Sequence, residues 1–159
     1  MAYALQPLLN IRAMREDRAS GELTAARQAV RKAESDLDER KRELSEFEKT
    51  REERRDRIYD AIMGRPVSRD QIDLANEGVA RIDEEGALKA DNVARARDEL
   101  KKREDAAETA RAAFVAASKN RMKIAEHRSV WVIEEAREQE RREDGELEDF
   151  TGRKQDIDG

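Results

Sequence analysis

One proline divides this chain into two stretches that each carry an unbroken heptad pattern. On its N-terminal side, stepping by seven from Leu9 meets Glu16, Leu23, Val30, Leu37, Leu44, Arg51 and Ile58. Three residues beyond each of these stand Arg12, Ala19, Ala26, Ala33, Arg40, Phe47, Arg54 and Ala61. Beyond Pro66 a second series runs through Ile72, Val79, Gly86, Val93, Leu100, Ala107 and Phe114. Its companions are Ala75, Ile82, Lys89, Ala96, Arg103, Ala110, Ala117, Ile124 and Trp131. Mostly apolar residues recurring in this way lie along one stripe of a helix and form the a/d seam of a coiled coil. A single helix cannot carry both seams through Gly64, Arg65 and Pro66, because proline removes a backbone donor and pushes the residue before it out of the helical region. The expected fold is therefore all-α, a long antiparallel two-helix coiled-coil hairpin.

The boundaries follow from local signals. Ser68 followed by Gln71 matches a capping box, and Val67 is placed to staple onto Ile72, so the second helix is expected to begin near Ser68. This reading gives one hairpin over residues 1–150: helix one over about 5–62, a turn at 63–67, helix two over about 68–149. Residues 151–159, with two glycines and no period, read as a flexible tail. At 1.5 Å per residue the first helix spans about 80 Å, and the second overhangs it by about 15 residues.

Centring the fold-back between Pro66 and Val67 sets large side chains opposite small ones. Phe47 faces Gly86, Ala19 faces Phe114, Ala33 faces Leu100, Leu37 faces Ala96, Leu23 faces Ala110, Ile58 faces Ala75 and Ala61 faces Ile72. Such alternation lets two helices approach and interdigitate. Other layers set an aliphatic opposite a base, namely Leu44 with Lys89, Val93 with Arg40, Val30 with Arg103 and Val79 with Arg54, where the methylene stem can cover the aliphatic while the charge reaches water.

Composition bears on the same question. With 45% charged residues, 4% aromatic and a mean hydropathy of -1.04, the chain lacks the apolar surface of a compact globule. A disordered chain would share that composition but not the period. The near balance of 38 acids against 33 bases leaves no broad cationic face for nucleic acid or lipid. Without cysteine there are no disulfides, thiolate metal sites or cysteine nucleophiles. The longest apolar run, Ala112 to Ala117, and the bulkiest, Val130 to Ile133, are far too short to insert in a membrane, so the chain reads as cytoplasmic.

Little here suggests chemistry. There is no Gly-rich phosphate loop, zinc spacing or nucleophile elbow, so an enzyme, a bound metal or a cofactor is not expected. His127 stands beside the seam and reads as a surface histidine. The acidic clusters, such as Asp36, Asp38 and Glu39, alternate with bases as solvated helix faces do.

Two places depart from a uniform coil. At the open end, Leu5, Leu8, Ile11, Val130, Trp131 and Ile133 are too many for one a/d stripe, and they adjoin Arg12 and Arg15. An apolar cluster that a two-helix seam cannot hide marks a binding site, with self-association or an N-terminal wrap as alternatives. The second place is the tip, where Ile62, Met63, Arg65 and Val67 surround the turn.

Particular strings resemble a known family. The opening Leu5, Leu8, Leu9, Ile11, Arg12, Arg15, Glu16, Asp17, Ala19, Glu22 and Leu23 resembles the start of the YscO (SctO) proteins, the central stalk of bacterial type III secretion systems, related to the flagellar export protein FliJ. The tip, with Ile62, Gly64, Val67 and Ser68, is similar to that family's tip, and so is the end at Glu146 to Phe150; Gly21 and the tail beyond Phe150 depart from its pattern. The resemblance implies a stalk set in the centre of a hexameric secretion ATPase, stimulating its hydrolysis and linking it to an export gate in the inner membrane, with secretion chaperones as further partners. Within that stalk the open-end residues are expected to meet the ATPase, since a partner can desolvate their apolar side chains and pair their arginines with acidic groups, and the tip residues to meet the export gate. A structural spacer or an export-chaperone-like adaptor is the alternative.

Overall fold

The computed structural model describes residues 1–157. They form two helices, α1 over Gln6–Asp60 and α2 over Arg69–Ile157, packed against each other as a hairpin. By its internal packing the chain divides into two compact units. One is Leu23–Ala110, which holds the turn; the other joins the residues up to Glu22 to those from Arg111 onward.

The turn is built as its residues dictate. Ile62 and Met63 both donate to the Tyr59 carbonyl, closing the last turn of α1, and Gly64 then takes a φ of 73°, a left-handed conformation that a side chain disfavours. At the start of α2 the Ser68 amide donates to Gln71 Oε1 at 2.9 Å and the Gln71 amide donates to Ser68 Oγ at 3.3 Å. These reciprocal bonds are the capping box that the sequence predicts. α1 stops at Asp60 rather than 62, so Ala61 falls in the turn, and both it and Ile72, expected opposite each other, are exposed.

In the unit that holds the turn, the buried side chains are Leu23, Ala33, Leu37, Phe47, Ala75, Val79, Ile82 and Val93, all of them seam positions. Its tightest layer is Phe47 against Gly86. A Cβ built on Gly86 would lie 2.8 Å from Phe47 Cε1 and 3.3 Å from Cζ, so only the absence of a side chain lets the ring, 5% exposed, lie between the helices. Gly86→Ala is thus expected to lower stability by about 1 kcal/mol. The overpacking costs about 1–3 kcal/mol and outweighs the gain of at most about 1 kcal/mol in helix propensity. Urea unfolding of the variant checks it, and a variant more stable than the wild type would show that the helices separate freely at this layer.

The layers that oppose a base to an aliphatic divide into two kinds. Lys89 and Arg54 are half-buried, and the Arg54 guanidinium lies 5.7 Å from the Phe47 ring centroid while donating to Glu85 at 3.0 Å. Arg40 and Arg103 are more exposed, their side chains 46% and 52% accessible, and pair with Glu43 and Glu99 on their own helices. A carboxylate one helical turn away holds the charged end of the side chain toward water.

In the unit that holds the termini, Ala19 is a buried seam residue, and Leu9, Phe114, Ala117 and Ile124 are half-buried. Gly21, where the sequence leaves the family pattern, lies inside continuous helix with nothing within 4 Å of a built Cβ. α2 continues to Ile157 instead of ending near Asp149 in an irregular tail; Asp158 and Gly159, the last two residues of that expected tail, lie outside the described residues. The Thr151 hydroxyl donates to the carbonyls of Leu147 and Glu148, and Lys154 lies over the Phe150 ring at 5.5 Å. These local contacts hold a helical turn across Gly152, whose interior position costs about 1 kcal/mol relative to alanine.

Candidate partner-binding surfaces

The N-terminal residues fold back on α2. The Gln6 amide donates to the Tyr3 carbonyl at 3.1 Å, a turn that brings the Tyr3 ring to 5.2 Å from the Trp131 ring and 5.8 Å from the His127 ring, centroid to centroid. The Tyr3 hydroxyl and His127 Nδ1 are hydrogen bonded at 2.6 Å, and the terminal ammonium lies 3.8 Å from Glu135. Tyr3 is 7% exposed and leaves Trp131 half-buried, so part of the apolar cluster is closed by an N-terminal wrap. The sequence carries no signal for this fold-back, because a residue ahead of the helix has no periodicity to place it.

The wrap leaves much uncovered. Leu5, Ile11, Val130 and Ile133 stay exposed, at 37%, 46%, 55% and 54%, while Leu8 is half-buried. Heptad position sorts these residues into faces. Leu8 and Arg15 are g positions and Ile11 and Val130 are c positions, and in an antiparallel pair the c and g positions of both helices share one flank. A shallow groove on that flank is lined by Arg12, Arg15, Ala113, Ala116, Ala117 and Asn120. Ile133, an f position, points to the outer side of α2 instead, so the predicted cluster is two surfaces rather than one.

The two arginines differ. Arg12 is half-buried and donates to the Asn120 carbonyl at 2.9 Å, so its guanidinium is already partly engaged. Arg15 is exposed at the edge of the groove. Beside them Arg121 Nε donates to Glu16 Oε2 at 2.7 Å, which joins α1 to α2. At the tip, in the other unit, Met63 and Arg65 are exposed and Ile62 and Val67 half-buried.

Among the described residues, no group of three or more acids and histidines is arranged to hold a metal ion, and no helix is long and apolar enough to cross a membrane. The model of the type III secretion protein YscO family matches residues 5–153. The chain belongs to the YscO family. It is therefore a type III secretion protein, and its fold is found in a relative: the solved structure of CT670 from Chlamydia trachomatis, described as a YscO homolog, superposes with a TM-score of 0.73. That likeness spans 94% of this YscO protein and 92% of the other chain, at 19% identity, and is one of fold. No curated protein matches the sequence closely.

Proposed function

We propose that this YscO protein is the central stalk of a type III secretion system, set on the axis of the hexameric secretion ATPase and stimulating its hydrolysis. In this reading the open end, with Leu5, Leu8, Ile11, Arg12, Arg15, Val130, Trp131 and Ile133, meets the ATPase. The tip, with Ile62, Met63, Arg65 and Val67, meets the export gate at the cytoplasmic side of the inner membrane, and secretion chaperones are further partners. The observation that carries the reading is the flank where exposed Ile11 and Val130 lie on the same side as the exposed Arg15. A partner can desolvate the aliphatics and pair the guanidinium with acidic groups around a pore, and arginine is among the residue types that most often dominate binding energy. A single chain on the axis of six equivalent subunits contacts them unequally, which biases their conformational equilibria and favours hydrolysis in sequence.

Steady-state ATP turnover by the purified cognate hexamer tests this. Wild-type protein is expected to stimulate turnover, an Ile11→Asp/Val130→Asp variant to lose most of that stimulation, and a Met63→Asp variant to retain it. All three positions are exposed, so the substitutions leave the seam intact. Equal stimulation by the Ile11→Asp/Val130→Asp variant would remove the ATPase from this end. No stimulation by the wild type would favour a spacer or chaperone-like adaptor.

A further inference from the structure

The residues ahead of α1 take a course that the heptad repeat would not give them. Carried back one heptad from Leu9, the helix would put Ala2 on the seam and turn Tyr3 outward as a b position. Pro7 prevents this. A proline inside a helix clashes with the carbonyl four residues before it, here that of Tyr3, and is tolerated only in the first turn. α1 accordingly starts at Gln6, and the chain before it turns at the bond from the Gln6 amide to the Tyr3 carbonyl.

That departure carries Tyr3 inward. Trp131 is a d position one turn past His127, the residue that the heptad register sets opposite Gln6, so α1 begins too late to cover the indole. The Tyr3 ring takes the place of the missing helix, 5.2 Å from the Trp131 ring and bonded through its hydroxyl to His127 Nδ1.

The closure depends on one side chain. Of residues 1–5 only Tyr3 is buried. The two helices are joined further in, by Arg12 on the Asn120 carbonyl and by Arg121 with Glu16, and neither contact involves the segment before Gln6. Opening this segment therefore breaks one aromatic cluster and leaves the seam intact, while closing it orders five residues against their backbone entropy. Segments with so few buried contacts lie at the low end of the range of local opening free energies.

We propose that residues 1–5 are a reversible strap, closed over Trp131 in the free protein and able to open without unfolding of the hairpin. Opening uncovers the indole beside Val130 and Val132, which are exposed already, and so adds to that apolar surface the residue type that most often anchors a partner. The closed strap is then an autoinhibitory contact. A partner that takes up Trp131 must first displace Tyr3, and its apparent affinity is reduced by the fraction of chains that are open. This last step rests on the stalk reading, in which Trp131 meets the ATPase; the strap itself does not.

Trp131 is the only tryptophan, so its emission reports the strap directly. On heating the wild type, the emission is expected to shift to the red at a lower temperature than the loss of helical circular dichroism. Tyr3→Ala should be red-shifted from the outset, with acrylamide quenching about twofold stronger and helicity unchanged, whereas Tyr3→Phe, which keeps the ring, should stay close to the wild type. Ala2 adjoins Met1, whose nitrogen lies 3.8 Å from Glu135, so an Ala2→Cys/Glu135→Cys protein bridged by a short bis-maleimide holds the strap shut. In that protein the two transitions should coincide. Coincident transitions in the wild type, or a red shift matched by a loss of helicity, would mean that Trp131 is uncovered only as the helices come apart, and would overturn the inference. Equal quenching of Tyr3→Ala and wild type would overturn it too. With the cognate hexamer, Tyr3→Ala is expected to reach half-maximal stimulation of ATP turnover at a several-fold lower concentration than the wild type, and the bridged protein at a higher one. Equal concentrations for all three would show that the strap inhibits nothing. A wild type that stimulates no turnover but melts in the expected order would instead remove the stalk reading and leave the strap standing.

Discussion

Phe47→Ala is expected to destabilise the hairpin by about 3–5 kcal/mol, the range for deleting a buried aromatic ring. For a chain of this length that is a fall in melting temperature on the order of 10 °C. The ring is 5% exposed and sits over a glycine, so nothing on α2 can expand into the space it leaves. The Arg54 guanidinium, which lies over the ring while paired with Glu85, loses its apolar support at the same time. Thermal unfolding followed by circular dichroism at 222 nm measures the loss. A shift of less than about 1 kcal/mol would mean that the helices close on each other at this layer, and would place the packing energy elsewhere.

Leu37→Asp should cost about 2–4 kcal/mol by a different mechanism, the burial of a carboxylate without a partner. Leu37 is a buried a position. The residue expected opposite it from the heptad register is Ala96, which offers no donor. Because an ionised carboxylate resists burial more than a protonated one, the defect should shrink as the pH is lowered through the carboxylate range. That pH response separates a polar defect from a cavity, which Leu37→Ala would create without any such dependence. Denaturant unfolding of both variants at neutral and acidic pH distinguishes them. Equal stability of Leu37→Asp and wild type at neutral pH would put the side chain in water.

The fold was largely legible from spacing, and the errors have local causes. Heptads place a residue on a face because side-chain direction in a helix is fixed by the backbone, and so Leu23, Leu37, Phe47, Val79, Ile82 and Val93 could be read as core and are buried. Arg40 and Arg103 occupy the same seam and are more exposed; which carboxylate the end of such a long side chain pairs with is a choice between neighbours that the period does not specify. α2 runs past its expected end for a related reason: without a seam to follow, the helix beyond Asp149 has only local contacts such as Thr151 with Leu147, which carry no periodic signal.

The candidate surfaces divide along the same line. The two helices, the turn at Gly64, the capping box at Ser68 and Gln71 and the excess of apolar residues at the open end can all be read along the chain, since each depends on neighbours within a few positions. That Tyr3 folds back to cover Trp131, and that Arg12 is engaged by Asn120 while Arg15 stays exposed, is settled only by the packing of the two helices. Those outcomes rest on contacts between residues more than a hundred positions apart, where which apolar atom is covered and which guanidinium is satisfied follow from the packing of two helices and from no property of either alone.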